Sequence, residues 1–287
     1  MKLAQIRDFL AVVESGSISA AARKLGVSQP GLTKSLGLLE SELGASLLQR
    51  APTGVTLTRQ GQAFHVRARA GYTELAKARE ELARGAPMQV GLGFGPFFAP
   101  TVVPQAVLRF REKFPDVRLR LVEGFRHVTG PMVRDGTLDI SLAPRAPQQA
   151  ADPAIRFRPI AHLDQIVVAR RGHPKAAVRS TAALANVEWM SNLRREALAS
   201  ALGAVGVPEP ARIVECESFN AMLALLVGSD MLAVVQRPFL DLPQVAGQVR
   251  EVPIAERLPG LTVGLHTRAD GPLTRPAAAL ARLLTDI

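Results

Sequence analysis

Residues 18–36 read ISAAARKLGVSQPGLTKSL, and this stretch decides the fold of the first part of the chain. Its alanine-rich first half predicts a short helix that a second helix can approach closely. Gly26 ends that helix, because glycine adopts positive φ without steric cost. Ser28 is a good N-cap and Pro30 is tolerated in a first turn, so a second helix begins here. The spacing favours a helix-turn-helix, although a plain helical hairpin shows a similar pattern.

The segments on either side support the helix-turn-helix. Upstream, residues 3–14 carry apolar side chains at helical spacing and predict a first helix. Downstream, residues 46–50 and 55–58 predict two short strands around a Pro/Gly turn. A hairpin directly after a helix-turn-helix is a wing, and its Arg50 can reach a phosphate or the minor groove.

A long polar-rich helix is predicted over residues 59–84, with apolar or small residues in steps of four and three. Two interpretations remain open for this seam: it packs on its own chain, or it pairs with a second copy. We favour the pairing helix, because its polar faces are broad for a core element. Gly85-Ala86-Pro87 then predicts a domain boundary. The members of the seam are Phe64, Ala68, Gly71, Leu75, Ala78 and Leu82.

Beyond the boundary, short apolar runs alternate with helical segments. Such alternation predicts parallel βαβ units and an α/β fold. Strands are predicted over 88–94, 117–122, 138–142, 166–169, 232–235 and 261–265, with helices between them.

The motifs resemble those of the LysR-type transcription regulators. The resemblance rests first on residues 9–50, FLAVVESGSISAAARKLGVSQPGLTKSLGLLESELGASLLQR, and on GVTLTRQG over 54–61. Further along it rests on FREKFPDVRLRLVEG, VRDGTLDISL, RGHP, CESF and VVQRP. Two departures occur: the family more often has Phe where Leu48 stands, and Ser-Arg where Thr33-Lys34 stand. Lysine cannot make the bidentate base contact of arginine, so base preference at Lys34 differs.

The resemblance implies a winged helix-turn-helix over 1–58, a dimerisation linker helix over 59–86 and an effector-sensing domain over 87–287. That domain is expected to resemble periplasmic binding proteins, with two α/β subdomains joined by two crossover strands and a ligand cleft between them. Subdomain I is predicted over 87–162 plus 267–287, and subdomain II over 163–266.

The start of the second helix of the motif and the wing are the predicted DNA contacts. Gln29 can pair bidentately with adenine, and Pro30 can pack on a thymine methyl. Thr33, Lys34 and Arg50 are expected to hold phosphates, which fixes register without reading sequence. The predicted set is Ser28, Gln29, Pro30, Thr33, Lys34, Arg50 and Thr53.

The predicted ligand cleft lies beyond the carboxyl ends of strands. One wall is the loop 95–101, which leads into a helix N-terminus whose free amides favour an anion. The two adjacent phenylalanines of this loop fit a cleft lining and a core equally well. Through CESF and the loop spacing, the sequence resembles family members that sense aromatic acids or sulfonates, and this resemblance implies an effector of that kind. The predicted set is Pro96, Phe97, Phe98, Thr101, Arg126, His127, Thr129, Ser191, Arg194, Phe219 and Gln236.

Composition limits the remaining classes of protein. The formal charge of +10 over 287 residues favours a polyanionic partner, and the single Cys216 offers no disulfide framework. The N-terminus lacks a signal peptide and no apolar run is long enough to span a bilayer, so a cytoplasmic protein is expected. Gly91-x-Gly93-x-x-Pro96 lacks the third glycine of a dinucleotide fingerprint. No two of the five histidines are four residues apart, so neither a metal site nor a cofactor is expected.

The expected function is therefore sequence-specific, effector-controlled regulation of transcription, without enzymatic activity. The expected partners are pseudo-palindromic double-stranded DNA, a small effector, RNA polymerase and further copies of the chain, as a dimer or tetramer; no membrane partner is expected. Three alternatives remain: an architectural DNA-binding protein without ligand control, a transporter's solute-binding protein, and an α/β enzyme fused to a DNA-binding head. The wing argues against the second, and the third lacks a catalytic constellation.

Overall fold

The computed structural model describes residues 1–51, 54–82, 88–145, 151–192 and 195–286. The chain divides into two compact units. The first comprises Met1–Gln89 with Pro131–Asp139, and the second comprises Val90–Gly130 with Ile140–Ile287.

Three helices open the first unit: α1 (Leu3–Ser15), α2 (Ile18–Leu25) and α3 (Gln29–Leu43). Gly26 ends α2 at a φ of +66°, and its N–H donates to the carbonyl oxygens of Ala22 and Arg23. Ser28 begins α3 by accepting a hydrogen bond from the N–H of Gly31. The predicted helix-turn-helix is confirmed, because the glycine turn and the serine cap act where the sequence places them.

The core of this motif is apolar, with one buried acid at its edge. Leu32, Leu36 and Leu39 of α3 are fully buried against α1 and α2. The carboxylate of Asp8 on α1 is also buried, and it accepts a 2.6 Å hydrogen bond from the hydroxyl of Ser35 on α3. A charged hydrogen bond of this kind joins α1 to α3 more strongly than a neutral bond does.

The wing is an antiparallel hairpin of β1 (Leu48–Ala51) and β2 (Gly54–Leu57). At its start, the carboxylate of Glu40 on α3 accepts the backbone N–H groups of Leu47 at 2.7 Å and Leu48 at 3.1 Å. At its far side, the N–H of Val55 donates to the carbonyl oxygen of Gly16. The wing is therefore attached both to α3 and to the turn between α1 and α2.

Helix α4 (Arg59–Leu82) follows the wing, and Gly61 allows its first turn to lie against the wing's start. A Cβ on Gly61 would overlap the carbonyl oxygen of Leu47. The predicted seam divides along α4. Phe64 and Ala68 pack into the core of the first unit, whereas Leu75 is 56% exposed. Packing on the same chain thus accounts for the first half of the seam.

The first sheet of the second unit has five strands, in the order β4 (Arg118–Glu123), β3 (Gln89–Phe94), β5 (Ile140–Arg145), β12 (Leu261–Arg268) and β6 (Ile155–Leu163). Strands β3 and β5 are parallel, and β12 runs antiparallel to both β5 and β6. The helices that accompany this sheet are α5 (Val102–Lys113), α6 (Arg126–Arg134) and α9 (Arg275–Leu283).

The second sheet has five strands, in the order β11 (Val249–Glu251), β7 (Gln165–Arg170), β10 (Leu232–Gln236), β8 (Glu188–Ser191) and β9 (Arg212–Glu215). Alternate residues of β7 belong to two different core clusters, Ile166 and Val168 to one and Val167 and Ala169 to the other. A strand buried on both faces reads as a continuous apolar run, which explains its sequence. The helices that accompany this sheet are α7 (Arg195–Gly203) and α8 (Phe219–Gly228).

The chain passes between the two sheets twice, near Asp164 and over residues 252–260. The predicted subdomain II, 163–266, includes most of β12. Pairing places β12 in the first sheet instead, because Leu261 lies opposite Leu163 of β6 and His266 opposite Ser141 of β5. The predicted boundary Gly85-Ala86-Pro87 lies outside the described residues.

Candidate nucleic-acid interface and ligand cleft

The first turns of α3 carry the main predicted DNA contacts on one outward face. Gln29, Pro30 and Lys34 are exposed, and Thr33 is half-buried. The opposite face of α3 is the buried leucine face, so the polar side chains take no part in the core. Ser28 is exposed but its hydroxyl already caps the helix at 3.2 Å from the N–H of Gly31.

The wing supplies a second part of the same surface. Gln49 and Thr56 face each other across its two strands, and both are exposed. The predicted DNA contact Thr53 and the side chain of the predicted phosphate contact Arg50 lie outside the described residues. The charge near the turn is partly neutralised, since Lys24 pairs with Glu14 at 2.9 Å and this hydrogen bond lowers the pKa of Glu14.

The loop after β3 forms the first wall of the predicted ligand cleft. Pro96 and Phe98 are buried, whereas Phe97 is half-buried and packs against the apolar cluster of the second sheet. The hydroxyl of Thr101 donates to the carbonyl oxygen of Phe97 at 3.1 Å. Of the two phenylalanines, Phe97 therefore joins the subdomains, and Phe98 belongs to the core.

The start of α6 separates three predicted cleft residues. His127 lies 3.6 Å from Glu217, measured from Nε2 to Oε1, and so joins α6 to the loop before α8. Thr129 is fully buried, with its hydroxyl 2.8 Å from that of Ser141. Arg126 lines a recess of the first sheet, together with Phe157 and His266. Of the three, His127 is the one that contacts the loop before α8.

The second wall is built around the start of α8. Phe219 is half-buried and contacts Phe239 edge-on at 6.0 Å, and Ser218 caps the helix. Ser191 is buried, and its carbonyl oxygen accepts the N–H of Cys216. Gln236 ends β10 opposite Gln165 of β7. The predicted Arg194 lies outside the described residues.

Glu217 was missed by the sequence analysis as a functional candidate. It follows Cys216 in the CESF motif, immediately before the helix cap Ser218. An acid that directly precedes the cap of a cleft helix is the only local signal for it. Its partner His127 lies 90 residues earlier in the chain, and no pattern in the sequence relates the two residues.

His173 of the RGHP motif has a structural role. Its ring is buried; Nδ1 accepts the N–H of Lys175, and Nε2 lies 2.9 Å from the carbonyl oxygen of Asp230. Nε2 must therefore carry the ring proton and donate it. Arg170 also pairs with the Asp230 carboxylate, at 2.6 Å, so the motif joins β7 to the turn before β10.

The described residues contain neither a cluster of metal ligands nor a membrane-spanning helix. Among these residues, no three or more His, Cys, Asp or Glu side chains are grouped so as to hold a metal ion. Within the same part of the chain, no helix has the length and apolarity needed to cross a membrane.

A winged helix-turn-helix followed by two α/β subdomains defines a class of ligand-controlled DNA-binding regulators. The model of the bacterial regulatory helix-turn-helix protein, lysR family, matches residues 3–62, and that of the LysR substrate binding domain matches residues 83–287. The chain belongs to the LysR family, and it is a DNA-binding transcription regulator controlled by a ligand of its second unit.

Individual relatives support this assignment. The SDS degradation transcriptional activation protein of a Pseudomonas species is 30% identical over 296 residues, covering 99% of this chain and 95% of that protein. Full-length OxyR of Pseudomonas aeruginosa has the same fold, with a TM-score of 0.70, 22% identity, and coverage of 99% and 94%. CbnR in complex with its target DNA gives a TM-score of 0.63 at 21% identity, with coverage of 100% and 99%.

Proposed function

We propose that the chain, as a homo-oligomer, binds a pseudo-palindromic operator and that a small anionic effector in its cleft controls this binding. In this proposal, α3 enters the major groove with Gln29 and Pro30 at the bases, while Thr33, Lys34 and Arg50 hold phosphates and Ser28 and Thr53 lie at the rim. Two recognition helices require a dimer or a dimer of dimers. The DNA target places the protein in the cytoplasm, where RNA polymerase is its further partner, and no catalytic step is needed.

The observation that carries the DNA proposal is the separation of the two faces of α3. Its leucines are buried while Gln29, Pro30 and Lys34 are exposed. A polar face that makes no contribution to the core is free to contact a partner without loss of stability. Its position at the helix N-terminus also favours phosphate, because free N–H groups point outward there.

The chemistry of the effector follows from what fills the cleft. Phe97 of the first wall packs on the apolar cluster that includes Phe219, and His127 pairs with Glu217. An effector with an apolar body can replace the Phe97 contact, and its anionic group can replace the Glu217 carboxylate beside His127. An aromatic carboxylate or sulfonate satisfies both requirements. The 30% identical relative is named for the degradation of SDS, which is also an anion with an apolar body.

DNA recognition is tested by gel-shift binding to the region upstream of the chain's own gene, at physiological salt with excess competitor DNA. These conditions matter because phosphate contacts alone give tight but unspecific binding at low salt. We expect a discrete complex that survives the competitor. Loss of the complex would instead favour an architectural DNA-binding protein with low specificity.

Two variants divide the recognition face into its roles. Gln29→Ala is expected to cost about 1–3 kcal/mol at its cognate base only, whereas Lys34→Ala weakens binding to all sequences alike. Gln62→Ala serves as the matched control, because Gln62 is exposed on α4, outside the motif. An equal loss on every sequence for Gln29→Ala would refute its base-reading role.

The effector proposal is tested by adding benzoate, benzenesulfonate and hexyl sulfate to the DNA complex. We expect at least one of them to change the length of the footprint or the DNA bend, because the ligand shifts the population of two packings of the cleft. Cyclohexanol, which has an apolar body without charge, is the control. A footprint unchanged by every anion at saturation would contradict the proposed effector class.

A further inference from the structure

A second recess lies apart from the cleft, on the first sheet beside the start of α6. It has a volume of about 100 Å³. Every residue that lines it belongs to the first sheet, to α6 or to the turn before β6, and none to the second sheet. The lining residues are Arg126, Arg145, Ala151, Asp152, Ile155, Phe157 and His266.

His266 is the buried histidine that lines this recess. The residue is 97% buried on β12, with the Phe157 ring 4.8 Å away. Nε2 lies 3.3 Å from the carbonyl oxygen of Ala143, which can only accept, so Nε2 carries the ring proton. Nδ1 is therefore left as a lone-pair acceptor. Burial, with help from the charges of Arg126 and Arg145, lowers the pKa of His266 to about 4, so the ring stays neutral near pH 7.

The charged groups around the recess favour an anion. The lining carries two guanidinium groups, those of Arg126 and Arg145, and one carboxylate, that of Asp152, which accepts the N–H of Ala154 at 3.0 Å. Arg145 lies over the Phe157 ring, with its guanidinium carbon 5.4 Å from the ring centroid. A guanidinium has five N–H donors, so each can bind a carboxylate and keep its other contacts.

We propose that this recess binds a small hydroxycarboxylate, whose carboxylate contacts Arg126 and Arg145 and whose hydroxyl donates to Nδ1 of His266. The recess is smaller than the enclosed cavity of about 150 Å³ that holds benzene, so a small ligand matches its volume. The site is distinct from the cleft of the proposed effector and takes a smaller, more polar molecule.

The experiment compares L-lactate with propionate by titration calorimetry on the full-length protein. The two acids differ only by the hydroxyl that His266 would accept. We expect lactate to bind about five- to tenfold more tightly, the factor for one net hydrogen bond of about 1–1.4 kcal/mol. Arg145→Gln is expected to weaken lactate about tenfold or more, because one charged contact is lost.

Two control variants decide where the ligand sits. Arg158→Gln changes an exposed arginine beside Phe157 on β6, and His127→Gln changes the cleft; neither is expected to alter lactate affinity. Arg126→Gln repeats the test if Arg145→Gln lowers the thermal midpoint of unfolding. The proposal is overturned if wild type binds neither acid, if both bind equally, or if either control weakens lactate as much as Arg145→Gln.

Discussion

The two functional regions of this molecule differ in what their side chains do before a ligand arrives. On α3, the recognition residues are exposed and the fold is held by other residues on the opposite face. In the cleft, the candidate residues already contact one another, through Phe97 on the apolar cluster and His127 with Glu217. In the proposed function, DNA binds to α3 without breaking an internal contact, whereas an effector in the cleft replaces one. This difference is expected of a protein whose cleft changes conformation when its effector binds.

The largest expected effect tests the separation of the two faces of α3. Leu36→Ala is expected to lower the free energy of unfolding by about 2–5 kcal/mol, because a fully buried side chain leaves a cavity. Leu38→Ala, at a 54% exposed position on the same helix, is the control and should stay within about 0.5 kcal/mol. Urea denaturation measures both. Similar losses for the two variants would mean that the outer face of α3 also supports the core.

The second prediction concerns acid stability of the ligand-binding unit. The unfolded ring of His266 takes up a proton below its ordinary pKa of 6.5, whereas the folded ring stays neutral down to about 4. The contribution of His266 to the free energy of unfolding is therefore fully present above pH 6.5. It falls by about 3 kcal/mol as the pH is lowered to 4, since each pKa unit is worth about 1.36 kcal/mol.

Urea denaturation between pH 7 and 4 checks this dependence. Over this pH range, the free energy of unfolding of His266→Gln should fall by about 3 kcal/mol less than that of wild type. His162→Gln, at an exposed position on β6, should show the same pH dependence as wild type. An identical slope in wild type and His266→Gln would remove the histidine as the cause.

The third prediction asks whether Thr129 is a ligand contact or a structural residue. Thr129→Val removes the partner of the buried Ser141 hydroxyl and should cost about 1–3 kcal/mol of unfolding free energy. Adding Ser141→Ala should recover most of this loss, because neither hydroxyl then remains unpaired. Thermal unfolding of the single and double variants measures the coupling. Unchanged stability together with a weakened effector response would mean that Thr129 contacts the effector.

The smallest expected effect concerns the contact between His127 and Glu217. His127 and Glu217 are 60% and 68% exposed, so their pair contributes about 0–1 kcal/mol. Glu217→Gln should barely change stability, yet it should raise the affinity for benzoate about two- to fivefold, because the internal competitor of the anion is gone. Titration calorimetry checks this, with Glu209→Gln as an exposed control outside the cleft. A weaker affinity in Glu217→Gln would contradict competition.

Local chemistry made the first unit predictable. Gly26 at positive φ and the cap Ser28 are short-range signals, and both act where the pattern indicates. In the second unit, β3, β4, β5, β7, β10 and β12 were predicted, but β6, β8, β9 and β11 were not. Three of the four missed strands, β6, β9 and β11, are edge strands, which are more exposed and alternate less clearly. Pro159 further weakens the strand pattern of β6, because proline cannot donate a hydrogen bond to a sheet.

The cleft was less predictable because its contacts join distant segments. Phe97 and Phe98 are adjacent and chemically identical, so only the tertiary fold separates the bridging ring from the core ring. Arg126 and His127 are neighbours on α6, yet one lines the recess and the other pairs with Glu217. Spacing along a helix predicts a face, but it cannot say which neighbouring element that face meets.

The hydrogen bonds from Leu47 and Leu48 to Glu40 have a consequence for operator choice. They connect the end of the recognition helix to the base of the wing, and the Val55 bond to Gly16 holds the hairpin from its other strand. The distance between the major-groove contact and the backbone contact is thus set during folding, and little entropy remains to be lost on DNA. A half-site with a wider or narrower groove must itself deform to match this fixed span. In the proposed mode of DNA binding, we therefore expect the protein to discriminate between operators by DNA stiffness at base pairs that it does not touch.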